Sequence, residues 1–209
     1  MLRLRVDPEH PDPAVVARCA ALIRDGGVVA VPTDTLYGLA ADPFNARAVR
    51  QLFAIKGRAA GHAVPLVAAS EAHVSQSLGR LSPPGRRLSD RFWPGPLTIL
   101  LPAPPTLAPE LVGGLATVGV RVPKHAALLA LLFACGIPLT ATSANISHQP
   151  PTSDPDVVAR QLRDIDGLFD AGLTTGGAPS TIVDVTGDSP TLVRAGAVPW
   201  EDIEACLRA

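Results

Sequence analysis

Short apolar runs alternate with segments of helical period along nearly the whole chain, and proline, glycine or a capping residue closes each one. That alternation allows few folds other than helices laid on a sheet. Val28-Val29-Ala30-Val31 is a continuous apolar run, the pattern of a strand covered on both faces. Asp12-Pro13 reads as a helix cap with proline in the first turn, opening a helix over 14–24 that stops at Gly26-Gly27. Residues 32–42, with Gly38, read as a loop. Residues 46–55 return to helical period with Val49, Leu52 and Phe53 on one face.

The rest of the chain repeats the theme. Strands are expected over 64–68, 97–101, 118–122 and 139–141. Helices are expected from Ser70 to about residue 81, and over 83–93, 126–134, 154–163 and 199–207. The helix at 126–134 is almost wholly apolar and is expected to be buried. Residues 102–109 form a proline-rich loop and 143–151 a polar one. Strands at 181–185 and 191–193 should pair as a hairpin. The expectation is one α/β domain over 1–209, with a twisted mixed β-sheet and flanking helices.

With 47% hydrophobic residues but 4% aromatics, the core must be aliphatic. A formal net charge of −1 argues against tight non-specific nucleic-acid binding, which needs a strong positive balance. Cys19, Cys135 and Cys206 are far apart, which suits a reducing cytoplasm better than a zinc site. The start of the chain lacks the apolar run of a signal peptide, and no apolar run reaches the length of a membrane span. The P-loop, the dinucleotide-binding glycine pattern, the zinc-protease helix motif and the nucleophile elbow are all missing. No metal site is legible.

What stands out is a spaced set of cations and hydroxyls at the edges of apolar elements. Lys56-Gly57-Arg58 ends a helix, Arg121 ends a strand, Ser143-Ala144-Asn145 follows an apolar run, and Arg194 comes near the end. Fixed cations and polar donors of this kind suit phosphate and carboxylate oxygens. Thr117 and Arg121, an even number of positions apart on one strand, share a face.

These segments together resemble the YrdC-type family. The resemblance rests on Val31-Pro32-Thr33-Asp34-Thr35-Leu36-Tyr37-Gly38-Leu39, on the Lys56-x-Arg58 and Ser143-x-Asn145 pair, and on Arg91-Phe92-Trp93-Pro94-Gly95-Pro96-Leu97-Thr98. It continues through Gly119-Val120-Arg121-Val122-Pro123, Pro179-Ser180-Thr181-Ile182-Val183-Asp184 and Val193-Arg194-Ala195-Gly196, in the family's order from about residue 10 to about 200. It implies a YrdC-like domain built around a concave cleft, in the short single-domain form. It also implies L-threonylcarbamoyladenylate synthase activity. L-threonine, bicarbonate or CO2, and ATP would give threonylcarbamoyl-AMP and pyrophosphate for t6A37 modification of tRNA. Mg²⁺ is implied with ATP, as is a downstream t6A transferase complex, with tRNA contacted weakly or indirectly.

Carried over residue by residue, Lys56 and Arg58 are the expected catalytic and triphosphate-binding cations. Thr117, Ser143, Asn145 and Arg194 are expected to contact the nucleotide. Thr35, Arg121 and Ser180 are expected to hold L-threonine, with Arg121 gripping the carboxylate. The chain departs from the family after Arg58. There it reads Ala59-Ala60-Gly61-His62, without the usual Asn, and the position of a threonine-holding His falls near Ala69. Other readings are an RNA-binding module using the same cleft and a carbamoyl-transfer module. Few aromatics and near-neutral charge count against the first, and the lack of zinc-finger or acylphosphatase-like neighbours against the second.

Overall fold

A computed structural model of the chain describes residues 1–57 and 62–208. The mixed α/β expectation holds, but the strands divide between two mixed sheets instead of forming one. The first sheet contains β1 (Leu2–Arg5), β2 (Val29–Val31), β3 (Gly38–Ala40), β8 (Thr142–Ser143) and β9 (Gly167–Asp170), in the order β1-β9-β2-β3-β8. The second contains β4 (Leu66–Val67), β5 (Leu97–Pro102), β6 (Thr117–Arg121), β7 (Leu139–Thr140), β10 (Thr181–Asp184) and β11 (Thr191–Arg194), in the order β11-β10-β5-β6-β4-β7.

Side-chain alternation along β2 divides the interior into two cores. Val29 and Val31 point to one core, Val28 and Ala30 to the other. The first core is roofed by α1 (Pro13–Arg24) and α5 (Ala126–Cys135). Val16, Cys19, Ala20 and Ile23 recur at the spacing of one helical face, and they meet Leu128, Leu131 and Leu132 of α5. The expectation that α5 is buried all round is corrected: Phe133 is 65% exposed. Its apolar sequence does not separate the packed face from the solvent face.

The remaining helices cover the second core and the sheet flanks. They are α2 (Ala46–Ile55), α3 (Glu71–Ser77), α4 (Pro83–Phe92), α6 (Pro155–Gln161) and α7 (Trp200–Arg208). Each of the first four opens on a side-chain cap, from Asn45, Ser70, Ser82 and Asp154. Helix α3 ends earlier than its pattern implied, because Leu78 caps it and Gly79 follows at φ +113°. No helix among the described residues is long and apolar enough to cross a membrane.

Two expected loops contain strands. Gly38–Ala40 pairs with β2 on one side and β8 on the other, although its sequence carries no strand period. The strand Thr142–Ser143 takes in Ser143, the first residue of the segment expected to be a polar loop. Two further strands, β1 and β9, pair in parallel and were not foreseen.

Residues 139–143 join the sheets. Leu139 and Thr140 pair with β4, and Thr142 and Ser143 pair with β3. Thr140 is fully buried at this crossing. Its hydroxyl donates to the Leu39 carbonyl at 3.1 Å and accepts the Ala41 N–H at 2.8 Å, while its own N–H donates to the Ala41 carbonyl at 3.0 Å. Thr140→Val keeps the shape and leaves the Ala41 N–H without its acceptor. A loss of about 1–3 kcal/mol is expected in urea-unfolding stability, the cost of one buried donor left unpaired.

Candidate functional site

A cavity of about 570 Å³ opens where the sheets meet, floored by Gly38, Leu66, Val67 and Thr98 and edged by Thr142 and Ser143. Five of the residues expected at the site line it: Thr35, Arg121, Ser143, Ser180 and Arg194. They come from five separate segments, so only the fold brings them together.

Arg121 ends β6, and its chain is held there by β4, since the Ala68 N–H donates to the Arg121 carbonyl at 2.9 Å. Its side chain is nearly buried and meets Asp34, Nη2 to Oδ1, at 3.0 Å. That Asp34 oxygen makes no directed hydrogen bond, so the contact is one of charge, not of aligned donor and acceptor. Burial lowers the Arg121 pKa, Asp34 opposes that effect and Arg194 adds to it. A guanidinium remains charged under these conditions.

Ser180 lies between two partners. Its hydroxyl is 2.8 Å from the Thr98 hydroxyl, and Arg194 donates through Nη2 to the Ser180 carbonyl at 2.7 Å and to the hydroxyl at 3.1 Å. The hairpin of β10 and β11 places Arg194 opposite Ile182, two residues from Ser180. Gly196 is needed for this closeness. A Cβ there would strike the Pro179 carbonyl oxygen and sit 2.5 Å from Ser180 C and Thr181 N.

Lys56 and Asn145 do not line the cavity; they hold its edge from behind. Lys56 caps α2 and is 3% exposed. Its ammonium donates to the Ser143 carbonyl at 2.6 Å, the Asn145 carbonyl at 3.0 Å and Asn145 Oδ1 at 3.1 Å. Asn145 Oδ1 also accepts from the Ser143 hydroxyl at 2.5 Å, and its Nδ2 donates to the Gln149 carbonyl. The two halves of the expected Lys-x-Arg and Ser-x-Asn pair therefore meet. Arg58 lies outside the described residues. Thr117 starts β6, in register with Pro102, and is not among the residues lining the cavity.

The turn 33–36 forms another wall; Thr33 and Asp34 there were given no site role beforehand, and Tyr37, which follows the turn and lines the cavity, was left out of the expected site. Thr33 Oγ1 accepts the N–H groups of Thr35 and Leu36 at 3.1 and 3.2 Å and donates to the Leu36 carbonyl at 2.7 Å. The hydroxyl of Tyr37 donates to the Gly172 carbonyl at 2.8 Å and accepts the Ala171 N–H at 3.2 Å, and burial raises its pKa. Its being the sole tyrosine was the one available signal. His62 is exposed, whereas His73 is buried and accepts the Ala69 N–H through Nδ1 at 3.2 Å.

The two sheets meet at a cavity with a nearly buried cation at one wall and paired hydroxyls at another, groups whose chemistry suits the oxygens of a small anionic ligand. The Sua5/YciO/YrdC family model, described as "Telomere recombination", matches residues 21–196, and the chain belongs to that family. It is 38% identical over 194 residues to the threonylcarbamoyl-AMP synthase of Bacillus subtilis (strain 168), covering 92% of this chain and 56% of that protein. The threonylcarbamoyl-AMP synthase of Thiobacillus denitrificans is 41% identical over 169 residues, covering 79% of this chain and 88% of that one. Among solved structures, P. abyssi Sua5 complexed with L-threonine superposes with a TM-score of 0.92 at 35% identity, over 99% of this chain and 61% of that chain. The chain thus spans little more than half the length of some relatives it matches.

Gly196→Ala should lower the thermal midpoint, at a cost of about 1–3 kcal/mol for the forced backbone shift. Gly187→Ala, where nothing lies within 4 Å of the added carbon, should leave the midpoint nearly unchanged in the same scan.

Proposed function

We propose that this chain is a threonylcarbamoyl-AMP synthase, condensing L-threonine, bicarbonate or CO2, and ATP, with release of pyrophosphate. The observation that carries the reading is the nearly buried Arg121 guanidinium facing a cavity ringed by the hydroxyls of Thr35, Thr98 and Ser180. A cation with fork geometry suits a carboxylate, and hydroxyls on the facing wall suit the remaining polar groups of a hydroxy amino acid. The family membership supports it, as does the L-threonine complex of P. abyssi Sua5.

The chemistry asks for placement more than for a reactive side chain. The neutral amine of threonine attacks CO2, forming a C–N bond and, after losing a proton, a carbamate. A carbamate oxygen attacks the α-phosphorus of ATP, and the bond to the β-phosphate oxygen breaks. Charge grows on the phosphate oxygens and on the leaving pyrophosphate, so fixed cations and oriented donors lower the barrier.

In this reading Arg121 takes the carboxylate and Ser180 and Thr35 orient the amino acid. Arg194 and Ser143 face the nucleotide from opposite edges of the cavity, with Thr117 further along β6. Lys56 keeps the 143–145 segment in place, and with Arg58 it supplies positive charge for the triphosphate. Asn145 orients Ser143. Mg²⁺ would accompany ATP and would supply positive charge to its phosphate oxygens, with no side chain of this site assigned to hold it. Asp34, the acidic side chain beside the cavity, is already engaged by Arg121, which fits a metal carried by the nucleotide. A cytoplasmic setting, supported by the free thiols of Cys19, Cys135 and Cys206, and a t6A transferase complex that consumes the product complete the proposal.

Pyrophosphate release should require L-threonine, bicarbonate and ATP together, and omission of any one should abolish it. Arg121→Ala should raise the L-threonine KM by roughly a hundredfold, as expected for losing a charged hydrogen-bond pair, with little change in the KM for ATP. Release of pyrophosphate without threonine would contradict the reading.

A further inference from the structure

The turn 33–36 separates two cavities. Thr33 and Thr35 line both, Arg121 lines the one described above, and Asp34 lines a second of about 840 Å³. Asp34 thus meets Arg121 at the turn between the two cavities, and it is not among the residues lining the cavity that Arg121 lines. The two side chains are 13% and 10% exposed and lie 3.0 Å apart.

Asp34 is placed by its own turn and by a strap. Thr33 closes the turn through its hydroxyl. On the far side, the Asp34 carbonyl accepts from the Thr175 hydroxyl at 2.9 Å. The Thr35 carbonyl accepts from the Thr174 hydroxyl at 2.7 Å and the Gly176 N–H at 2.8 Å. The carboxylate is thus held on both flanks by its backbone, while the buried oxygen nearest Arg121 has no directed hydrogen bond. An acceptor so fixed, and left to charge alone, supplies a counterion without taking both arms of the guanidinium fork.

We propose that Asp34 is a positioning residue. It neutralises Arg121 at the turn and fixes the guanidinium, so that the other N–H groups face the cavity and meet the carboxylate of the amino-acid substrate. The inference rests on the threonine-site reading above and deepens it. A long arginine side chain keeps several rotamers unless something fixes it. A buried guanidinium with no counterion gains by turning toward water, away from the ligand. Arg194 does not stand in for Arg121 at the carboxylate, because its Nε and Nη2 groups already donate to Ser180. Asp34 acts through Arg121 and does not touch the reacting atoms.

The test is a double-mutant cycle with two readouts, steady-state KM values and calorimetric titration of L-threonine. Asp34→Asn should raise the L-threonine KM and dissociation constant at least tenfold, with the KM for ATP within about twofold of the wild type. Asp34→Glu should recover part of the loss. In the Arg121→Ala background, Asp34→Asn should add less than a further twofold. A tenfold effect that persists in that background, or equal threonine binding by Asp34→Asn and the wild type, overturns the inference while leaving the threonine-site reading intact. Failure of the wild type itself to bind L-threonine overturns both. Thermal unfolding of each variant identifies any that does not fold, and the Glu variant then carries the comparison.

Discussion

The passage of residues 139–143 from one sheet to the other is the constraint on which the rest of the molecule depends. A segment paired to β4 at one end and to β3 at the other fixes the relative position of the two sheets. The buried Thr140 hydroxyl bonds across the crossing, where water cannot substitute for a lost partner. Because Ser143 follows within a few residues, the same crossing delivers the cavity edge that Lys56 and Asn145 hold from behind. The core, the junction and the site are consequences of one backbone path.

Each described cation of the site is met by partner oxygens, and two of the three, Lys56 and Arg121, are buried while Arg194 is exposed. Lys56 is enclosed by carbonyl and amide oxygens of the 143–145 segment, Arg121 by Asp34, and Arg194 by Ser180. Buried cations cost much when unpaired, so Lys56 and Arg121 arrive with oxygens already in place. The result is a set of cations whose positions are settled before any ligand arrives, which is what an electrostatic mechanism of phosphoryl chemistry calls for.

Much of this was legible from local chemistry. Residues 46–55 have a capping Asn45 ahead of them and an apolar face, and α2 spans those same residues. The 181–185 and 191–193 runs pair as the expected hairpin. Where local signal is thin, the reading failed. Gly38–Ala40 and Thr142–Ser143 are strands because their neighbours supply ladder partners, and no period in so short a stretch announces that. Leu2-Arg3-Leu4-Arg5 does alternate, yet its partner Gly167–Asp170 lies far along the chain. The break between two sheets is likewise a property of long-range pairing. At the site, the family resemblance picked out Thr35, Arg121, Ser143, Ser180 and Arg194, all of which line the cavity, whereas Asp34 was passed over. Its importance lies in a contact with Arg121 that no spacing in the sequence encodes.

The central claim is that the cavity at the sheet junction receives an amino-acid carboxylate on Arg121. The most direct measurement is a crystal structure of this protein with L-threonine and a non-hydrolysable ATP analogue. The account predicts the threonine carboxylate within hydrogen-bond distance of Arg121, its polar groups against Thr35 and Ser180, and Asp34 still paired to the guanidinium. L-threonine bound away from Arg121, or in the cavity on the far side of the 33–36 turn, would contradict it.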